Sequence, residues 1–259
     1  MISKSNIPRF ISLVMCITLS PVLSQAKSEP QKPSERPTGF FYGFGLGIGQ
    51  EIYPGYSSRT TPLPIIGYES ENLHVYGPFI SYDFFKNNVV EISAQVAPRF
   101  QGYDESDSPR LAGMNDRDNT LEAGFGVQLS HNQWSAKGSF LSDLLGRSNG
   151  TDIQARLGRG FRSGPFMYEP FFTVNYVSND HVDYYYGVEA DEVTASRPFY
   201  QGNNTLNKSF GIAIATPIFF GGMTRLSLSN TWYGSTITDS PLVDEDTALS
   251  TRLIFSKFF

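Results

Sequence analysis

Thiols are nearly absent from this sequence of 259 residues, whose one cysteine is Cys16. Cys16 lies in an apolar N-terminal segment, and Val14-Met15 before it lacks the small residue that a lipoprotein cleavage site requires. We therefore expect neither a lipid anchor nor a disulfide. A chain without thiols after processing folds in an oxidising compartment without mispairing.

Signatures of catalysis are also missing. The histidines are His74, His131 and His181, and none accompanies a nucleophile motif such as G-x-S-x-G. The Gly-x-Gly-x-Gly run at 43–47 has no helix after it, so it is not a dinucleotide fingerprint, and no cysteine-based metal site is present. The sequence predicts no catalytic residue, no cofactor and no metal, and hence not an enzyme. An outer-membrane lipid hydrolase with dispersed triad members is the less favoured alternative.

An excess of basic residues is lacking too, because 20 Lys and Arg face 25 Asp and Glu. An acidic protein repels phosphate backbones, so we expect no nucleic-acid partner. No segment in the middle of the chain has the composition of a domain linker, which favours one domain.

The N-terminal segment predicts export. Lys4 and Arg9 precede an apolar run at 10–19, which is followed by Pro21 and the tripeptide Ser24-Gln25-Ala26. This order is typical of a signal peptide, here residues 1–26 with cleavage near Ala26. The run is about half of the roughly 20 residues that a membrane-spanning helix needs. Residues 27–38 are charged and proline-rich, and we interpret them as a flexible periplasmic tail.

Beyond residue 38 the hydrophobic pattern has period two, which predicts strands. The clearest case runs from Phe40 to Ile48, where aromatic and aliphatic residues alternate with Gly43, Gly45 and Gly47. Most such runs have about ten residues, the length that a tilted strand needs to cross a bilayer. We predict an all-β fold for residues 39–259, a single transmembrane antiparallel up-and-down β-barrel.

The connections between these runs alternate in length. Tight turns at 131–132, 163–164 and 220–222 alternate with long polar segments at 101–117, 178–205 and 234–245, as short periplasmic turns and long outer loops do in membrane barrels. If residues 61–69 and 72–84 are two separate strands, the total number of strands is odd. If 61–84 is one long or interrupted strand, the barrel has about ten strands, and twelve is the alternative.

Period two does not tell which face meets the core, so a soluble lipocalin-like barrel is the competing interpretation. Aromatic residues near the strand ends favour a membrane barrel, because such rings suit the headgroup region. The final residue, Phe259, closes an amphipathic strand and resembles the signal read by the barrel assembly machinery. The polar face, predicted to line the lumen, carries Glu91, Gln95, Arg99, Glu122, Gln128, Lys137, Gln154, Arg156, Glu169, Arg225 and Arg252.

Four segments resemble the MipA/OmpV family of outer-membrane proteins: PGYSSRTTPLPIIGYES at 54–70, LAGMNDRDNTLEAGFG at 111–126, YYYGVEADE at 184–192 and SPLV at 240–243. The resemblance implies a β-barrel in the outer membrane, among lipid and lipopolysaccharide. One family member is a scaffold between a lytic transglycosylase and a penicillin-binding protein, and others are linked to osmotic or antibiotic responses. The motif residues in loops are Gly55, Pro64, Gly113, Met114, Arg117, Tyr185, Tyr186, Gly187, Val188, Ser240 and Pro241.

The resemblance therefore predicts a non-catalytic scaffold for peptidoglycan remodelling. A narrow channel is the alternative, although about ten strands enclose an interior that side chains largely fill. His181, Asp183, Glu189, Asp191 and Glu192 could hold a hard cation in the longest loop, but solvated loop charge is the preferred interpretation.

Overall fold

The computed structural model describes residues 37–259. The predicted signal peptide and residues 27–36 of the predicted tail lie outside the described residues. The strands are β1 (Gly39–Gln50), β2 (Ser58–Glu69), β3 (Leu73–Tyr76), β4 (Phe79–Lys86), β5 (Val90–Arg99), β6 (Thr120–His131), β7 (Trp134–Asp143), β8 (Thr151–Arg159), β9 (Phe161–Ser163), β10 (Phe166–Val177), β11 (Thr205–Thr216), β12 (Met223–Trp232) and β13 (Thr247–Phe258).

Antiparallel pairing of neighbours closes these strands into a barrel. β1 pairs with β13 from Phe41↔Phe258 to Gly49↔Ser250, and β10 pairs with β11, so the sheet has no free end. β9 follows β8 after Gly160 and pairs only with the start of β10. The barrel therefore has twelve strands and one short extra strand, and the predicted all-β antiparallel barrel is confirmed.

The preferred prediction of ten strands is wrong, and the alternative of twelve is correct. Residues 61–84 are three strands, because the chain turns at 70–72 and again at Gly77-Pro78. Gly77 has φ of +58°, a conformation that suits glycine in a tight turn. Prolines and glycines in this stretch interrupt the alternation that identifies strands elsewhere.

The connections differ in length between the two ends of the barrel. The segments 51–57, 100–119, 178–204 and 233–246 lie at one end, and the turns 70–72, 87–89 and 132–133 lie at the other end with both termini of the barrel. We call these the outer end and the periplasmic end, following the usual asymmetry of membrane barrels.

The outward face is apolar and exposed. Phe44, Phe125 and Phe210 are each at least half exposed on this face, in the middle parts of their strands. A soluble barrel of the lipocalin type would bury such side chains inside, so that alternative is wrong. Hydrocarbon is the surrounding that suits this face, as in other membrane barrels. In the described part of the chain, no helix combines the length and the apolar character needed to cross a bilayer.

We expect Phe125→Arg to destabilise the barrel, because Phe125 is 60% exposed on the outward face and a guanidinium near the bilayer centre costs about 2–4 kcal/mol. Gln128→Arg, on the opposite face of the same strand, should change stability far less. Urea unfolding in lipid vesicles measures both, and equal losses would contradict the assignment of the faces.

Candidate functional site

The strand register places all eleven predicted polar residues on the interior face, the face that the glycines of β1 share. Two charge clusters lie on this interior face. Arg99 bonds Glu122 at 2.5 Å and Asp152 at 2.7 Å, and Glu169 lies between Arg156 at 3.0 Å and Arg225 at 2.8 Å. The first cluster joins β5, β6 and β8, and the second joins β8, β10 and β12, so each lies along one part of the wall with its charges paired.

A third interior cluster lies near the periplasmic end and has no signal in the sequence. His74 Nδ1 lies 2.8 Å from a Glu69 oxygen, and its Nε2 lies 3.0 Å from an Asp83 oxygen. The three residues are neighbours only because β3 pairs with both β2 and β4. Motif spacing therefore could not have identified them.

A folded cap, made of segments 51–57, 100–119, 178–204 and 233–246, closes the outer end. Its centre is a set of buried apolar side chains from all four segments, joined by residues from the adjoining strand ends: Ile52, Tyr53, Tyr103, Leu111, Met114, Val177, Val182, Tyr185, Tyr186, Val188, Ile237, Leu242 and Ala248. Burial of this many aromatic and aliphatic groups gives the loops a core of their own.

Two short helices organise the cap, α1 (Asn179–Tyr186) and α2 (Ser235–Thr238). The side chain of Ser178 caps α1 by accepting a bond from the His181 amide, and it also accepts one from Thr151 at the edge of the barrel. Serine at this position satisfies an amide that a helix start leaves free. α1 thereby begins directly at the end of β10.

An ion pair inside the cap joins two of its segments. Arg117 bonds both oxygens of Glu192 at 2.9 and 3.0 Å, and the two side chains are only 4% and 1% exposed. Arg117 also donates to the Tyr184 carbonyl at 2.6 Å. Arg197 donates to the carbonyls of Glu192 and Ala112, which fixes the same two segments again. Both bonds to Glu192 come from Nη2 of Arg117, and these charge-assisted bonds together hold the two segments at one relative position.

Ten of the eleven motif residues are part of this cap. Gly55 has φ of +73°, and a side chain there would meet Ser108, which bonds Pro54. Ser240 donates to the Tyr186 carbonyl at 2.6 Å. Gly113, Met114, Arg117, Tyr185, Gly187, Val188 and Pro241 belong to the same segments. Pro64 is the exception, because it lies on β2 in the barrel wall.

The charged residues of the longest loop are separated by their contacts. Glu192 pairs with Arg117, Asp183 accepts a bond from the Gly202 amide, and Glu189 and Asp191 are exposed. Among residues 37–259, no group of three or more His, Cys, Asp and Glu side chains has an arrangement that could hold a metal ion. An ion pair and a hydrogen bond inside the cap thus explain why the Glu192 carboxylate is buried and the Asp183 carboxylate is half-buried.

Burial lowers the pKa of His181 to about 3, and the positive charge of Arg99 adds to this effect. The ring lies against Tyr185 at 4.9 Å between centroids. His181 is therefore neutral in the folded cap at the pH values where a solvated histidine takes up a proton.

The periplasmic end, in contrast, exposes apolar side chains. The turn at 217–222 carries Ile218, Phe219 and Phe220, and Phe220 is 84% exposed. Its ring lies edge-on to Phe255 of β13 at 6.1 Å. Nearby, the Phe259 amide donates to the Phe40 carbonyl, and the Phe259 ring is exposed beside Tyr42.

The similarity to known proteins extends over nearly the whole barrel. A family model described as "MltA-interacting protein MipA" matches residues 42–259. The outer membrane protein Omp26La of Vibrio anguillarum is 27% identical over 180 residues, which are 69% of this chain and 70% of Omp26La. The MltA-interacting protein of Escherichia coli (strain K12) is 25% identical over 224 residues, which are 85% of this chain and 90% of the relative. Among solved structures, the outer membrane protein OprD of Pseudomonas aeruginosa has a TM-score of 0.36 at 11% identity, covering 83% of this chain and 64% of OprD.

We expect Arg117→Ala to open the cap, because it leaves Glu192 buried without its counter-ion at a cost of about 3–5 kcal/mol. Arg110→Ala is the matched control, since its pair with Asp244 is 62% and 46% exposed and such pairs contribute about 0–1 kcal/mol. Protease cleavage within 178–204 should accelerate for Arg117→Ala alone. Equal cleavage of both variants would show that the buried pair does not hold the cap.

The cap should lose stability as the pH falls from 6.5 towards 3, because His181 takes up a proton in the unfolded cap but resists it in the folded one. The loss is about 2 kcal/mol at pH 5. Hydrogen exchange of the α1 amides, corrected for the intrinsic rate, measures this. His181→Gln should flatten the pH dependence, and His131→Gln, at the exposed periplasmic end of β6, should not. An unchanged pH profile in His181→Gln would contradict the assignment.

Proposed function

Since the chain belongs to the MipA family, we propose that it is a non-catalytic scaffold of the outer membrane that binds a lytic transglycosylase and a penicillin-binding protein at its periplasmic face. The barrel itself is a Gram-negative outer-membrane protein, as its named relatives are. Proximity of a murein-cleaving and a murein-synthesising enzyme would couple the two reactions.

The observation that carries the proposal is the family match over 42–259, together with a relative named for its interaction with MltA. Two features of the barrel support it. The cap core closes the outer end, and charged side chains of the interior are held in ion pairs with each other. Both oppose a wide aqueous route, so a role in presenting surfaces fits better than a role in conducting solutes.

The turn at 217–222 is the contact surface that we propose for the periplasmic partner. Large aromatic side chains dominate binding energy where a partner can desolvate them. Phe220 has φ of +53°, so the turn holds its side chain outward in a conformation that an L-residue rarely adopts. The tail at 27–38, which carries both charge signs, is a second segment that the periplasmic enzymes could contact.

We expect Phe220→Ser to reduce capture of a purified lytic transglycosylase by the detergent-solubilised barrel, since it removes the most exposed apolar group of the turn. The control is Phe199→Ser, which removes a 60% exposed ring from the outer side. Heat-modifiable gel mobility should show that both variants fold. Equal capture by both variants, or none by the unmodified barrel, would contradict the proposal.

A further inference from the structure

The barrel wall is incomplete between β2 and β5. β3 pairs with β2 only at Gly67, Tyr68 and Glu69, and β4 pairs with β5 only as far as the Ile80↔Val96 pair. The Gly77 amide adds one bond to the Ile66 carbonyl. In the described part of the chain, β2 has no strand partner on this side from Ser58 to Ile65. We call this opening the β2–β5 gap.

The β2–β5 gap is bounded by two strands, one hairpin turn and one side-chain contact. Its sides are the edge of β2 and the outer end of β5, and its lower boundary is the hairpin turn at Gly77-Pro78. At the outer end, Arg59 Nη1 reaches across from β2 to the Phe100 carbonyl at 3.3 Å. The opening is therefore in the outer half of the wall, beneath the cap.

Proline occupies the positions where free backbone donors would face the β2–β5 gap. Amide and carbonyl groups of alternate residues point to the same side of a strand. The Ile66 carbonyl points to the gap side. The backbone groups of Thr60, Pro62 and Pro64 therefore point to the gap as well, and of these three residues only Thr60 carries an N–H group. The Val90 carbonyl accepts a hydrogen bond from the Asn87 amide, on the side of β5 that faces β4. The backbone groups of Pro98 therefore point to that side as well.

The pairing stops where two prolines would face each other. Continuing the register beyond Ile80↔Val96 would place Pro78 opposite Pro98, and neither can donate. These edges cannot accept a further strand in regular pairing, since prolines interrupt the ladder. A peptide strand from a partner is thus a poor occupant, and the same prolines leave few donors unsatisfied beside hydrocarbon.

On the β2 side the interior next to the β2–β5 gap is apolar, whereas on the β5 side the interior face ends at the charged Arg99. Leu63 and Ile65 point inward from β2, beside the bare positions Gly45 and Gly43 of β1. Below them, the buried Phe41 ring packs over Gly67 and against Tyr76 at 4.5 Å. On the outward side, the lipid-facing residues Phe44, Leu46 and Ile48 of β1 lie opposite Pro64, Pro62 and Thr60.

We propose that the β2–β5 gap is a lateral binding site for an acyl chain of a bilayer lipid, which passes through the wall and lies along Leu63 and Ile65 inside the barrel. The occupant follows from the surroundings: hydrocarbon meets the gap outside, prolines leave few backbone donors at its edges, and the wall behind it on β1 and β2 is apolar. This site depends on the outer-membrane location and not on the scaffold role.

The test uses single cysteines, because the chain has none beyond Cys16. A fluorophore on Leu63→Cys is compared with one on Leu228→Cys, on the outward face, and one on Ser227→Cys, on the interior face of a fully paired strand. The barrel is placed in phosphatidylcholine vesicles with brominated acyl chains, which quench nearby fluorophores. We expect quenching at position 63 to match position 228 and to exceed position 227 several-fold.

A second variant fills the site. A side chain at Gly47 would meet only Thr61 at ordinary contact distance, so Gly47→Leu is expected to fold and to reduce the quenching at position 63 to that at position 227. Gly49→Leu, which would only touch Ser250, should leave the quenching unchanged.

Three results would overturn the proposal. One is quenching at position 63 by aqueous iodide instead of brominated chains, which would mean a water-filled gap. Another is strong bromine quenching that persists in Gly47→Leu, which would mean that the fluorophore itself extends into the bilayer. The third is disulfide-linked dimers of Thr60→Cys in the membrane, which would mean that a second copy covers the gap. Loss of transglycosylase capture would leave this result unaffected.

Discussion

Hydrocarbon offers no hydrogen-bond partner to the backbone, and this constraint organises the whole wall of the barrel. Apart from β2 and the short β9, the strands have neighbours on both sides along most of their length, and β1 joins β13 to close the sheet. The one place where pairing stops early is the β2–β5 gap. There, Pro62, Pro64, Pro78 and Pro98 reduce the number of donors that would otherwise face hydrocarbon unpaired.

The inside of the molecule is divided between two kinds of stabilisation. Within the barrel, charged side chains of nearby strands bond each other on the interior face, as Arg99 does with Glu122 and Asp152. In the cap, tyrosines and aliphatic residues form a separate core around the Arg117–Glu192 pair. The cap can therefore open while the wall stays intact, because local opening costs less than global unfolding. A closed outer end leaves the periplasmic turns as the accessible surface for soluble partners.

Alternation of side chains predicted most of the strands, aromatic residues near the strand ends favoured an apolar face towards lipid, and connection lengths predicted the asymmetry of the loops. Alternation failed at 61–84, where prolines and glycines break the period and three strands follow each other closely. The cap lay beyond sequence reasoning for another reason: Tyr53, Tyr103, Tyr185 and Ile237 are far apart in the chain and follow no period. Ten of the eleven motif residues lie in the cap, yet only the fold shows that they meet. The His74 cluster and the β2–β5 gap depend on strand pairing, which no local pattern encodes.

Closure through β1 and β13 brings together Phe41 and Phe258, the two extremes of the folded sequence. Contacts so distant along the chain carry a high loop-closure entropy and slow down folding. Until the last strand arrives, both edges of a growing sheet stay open to aggregation. The wall is therefore complete only when the first strand and the last strand of the barrel meet.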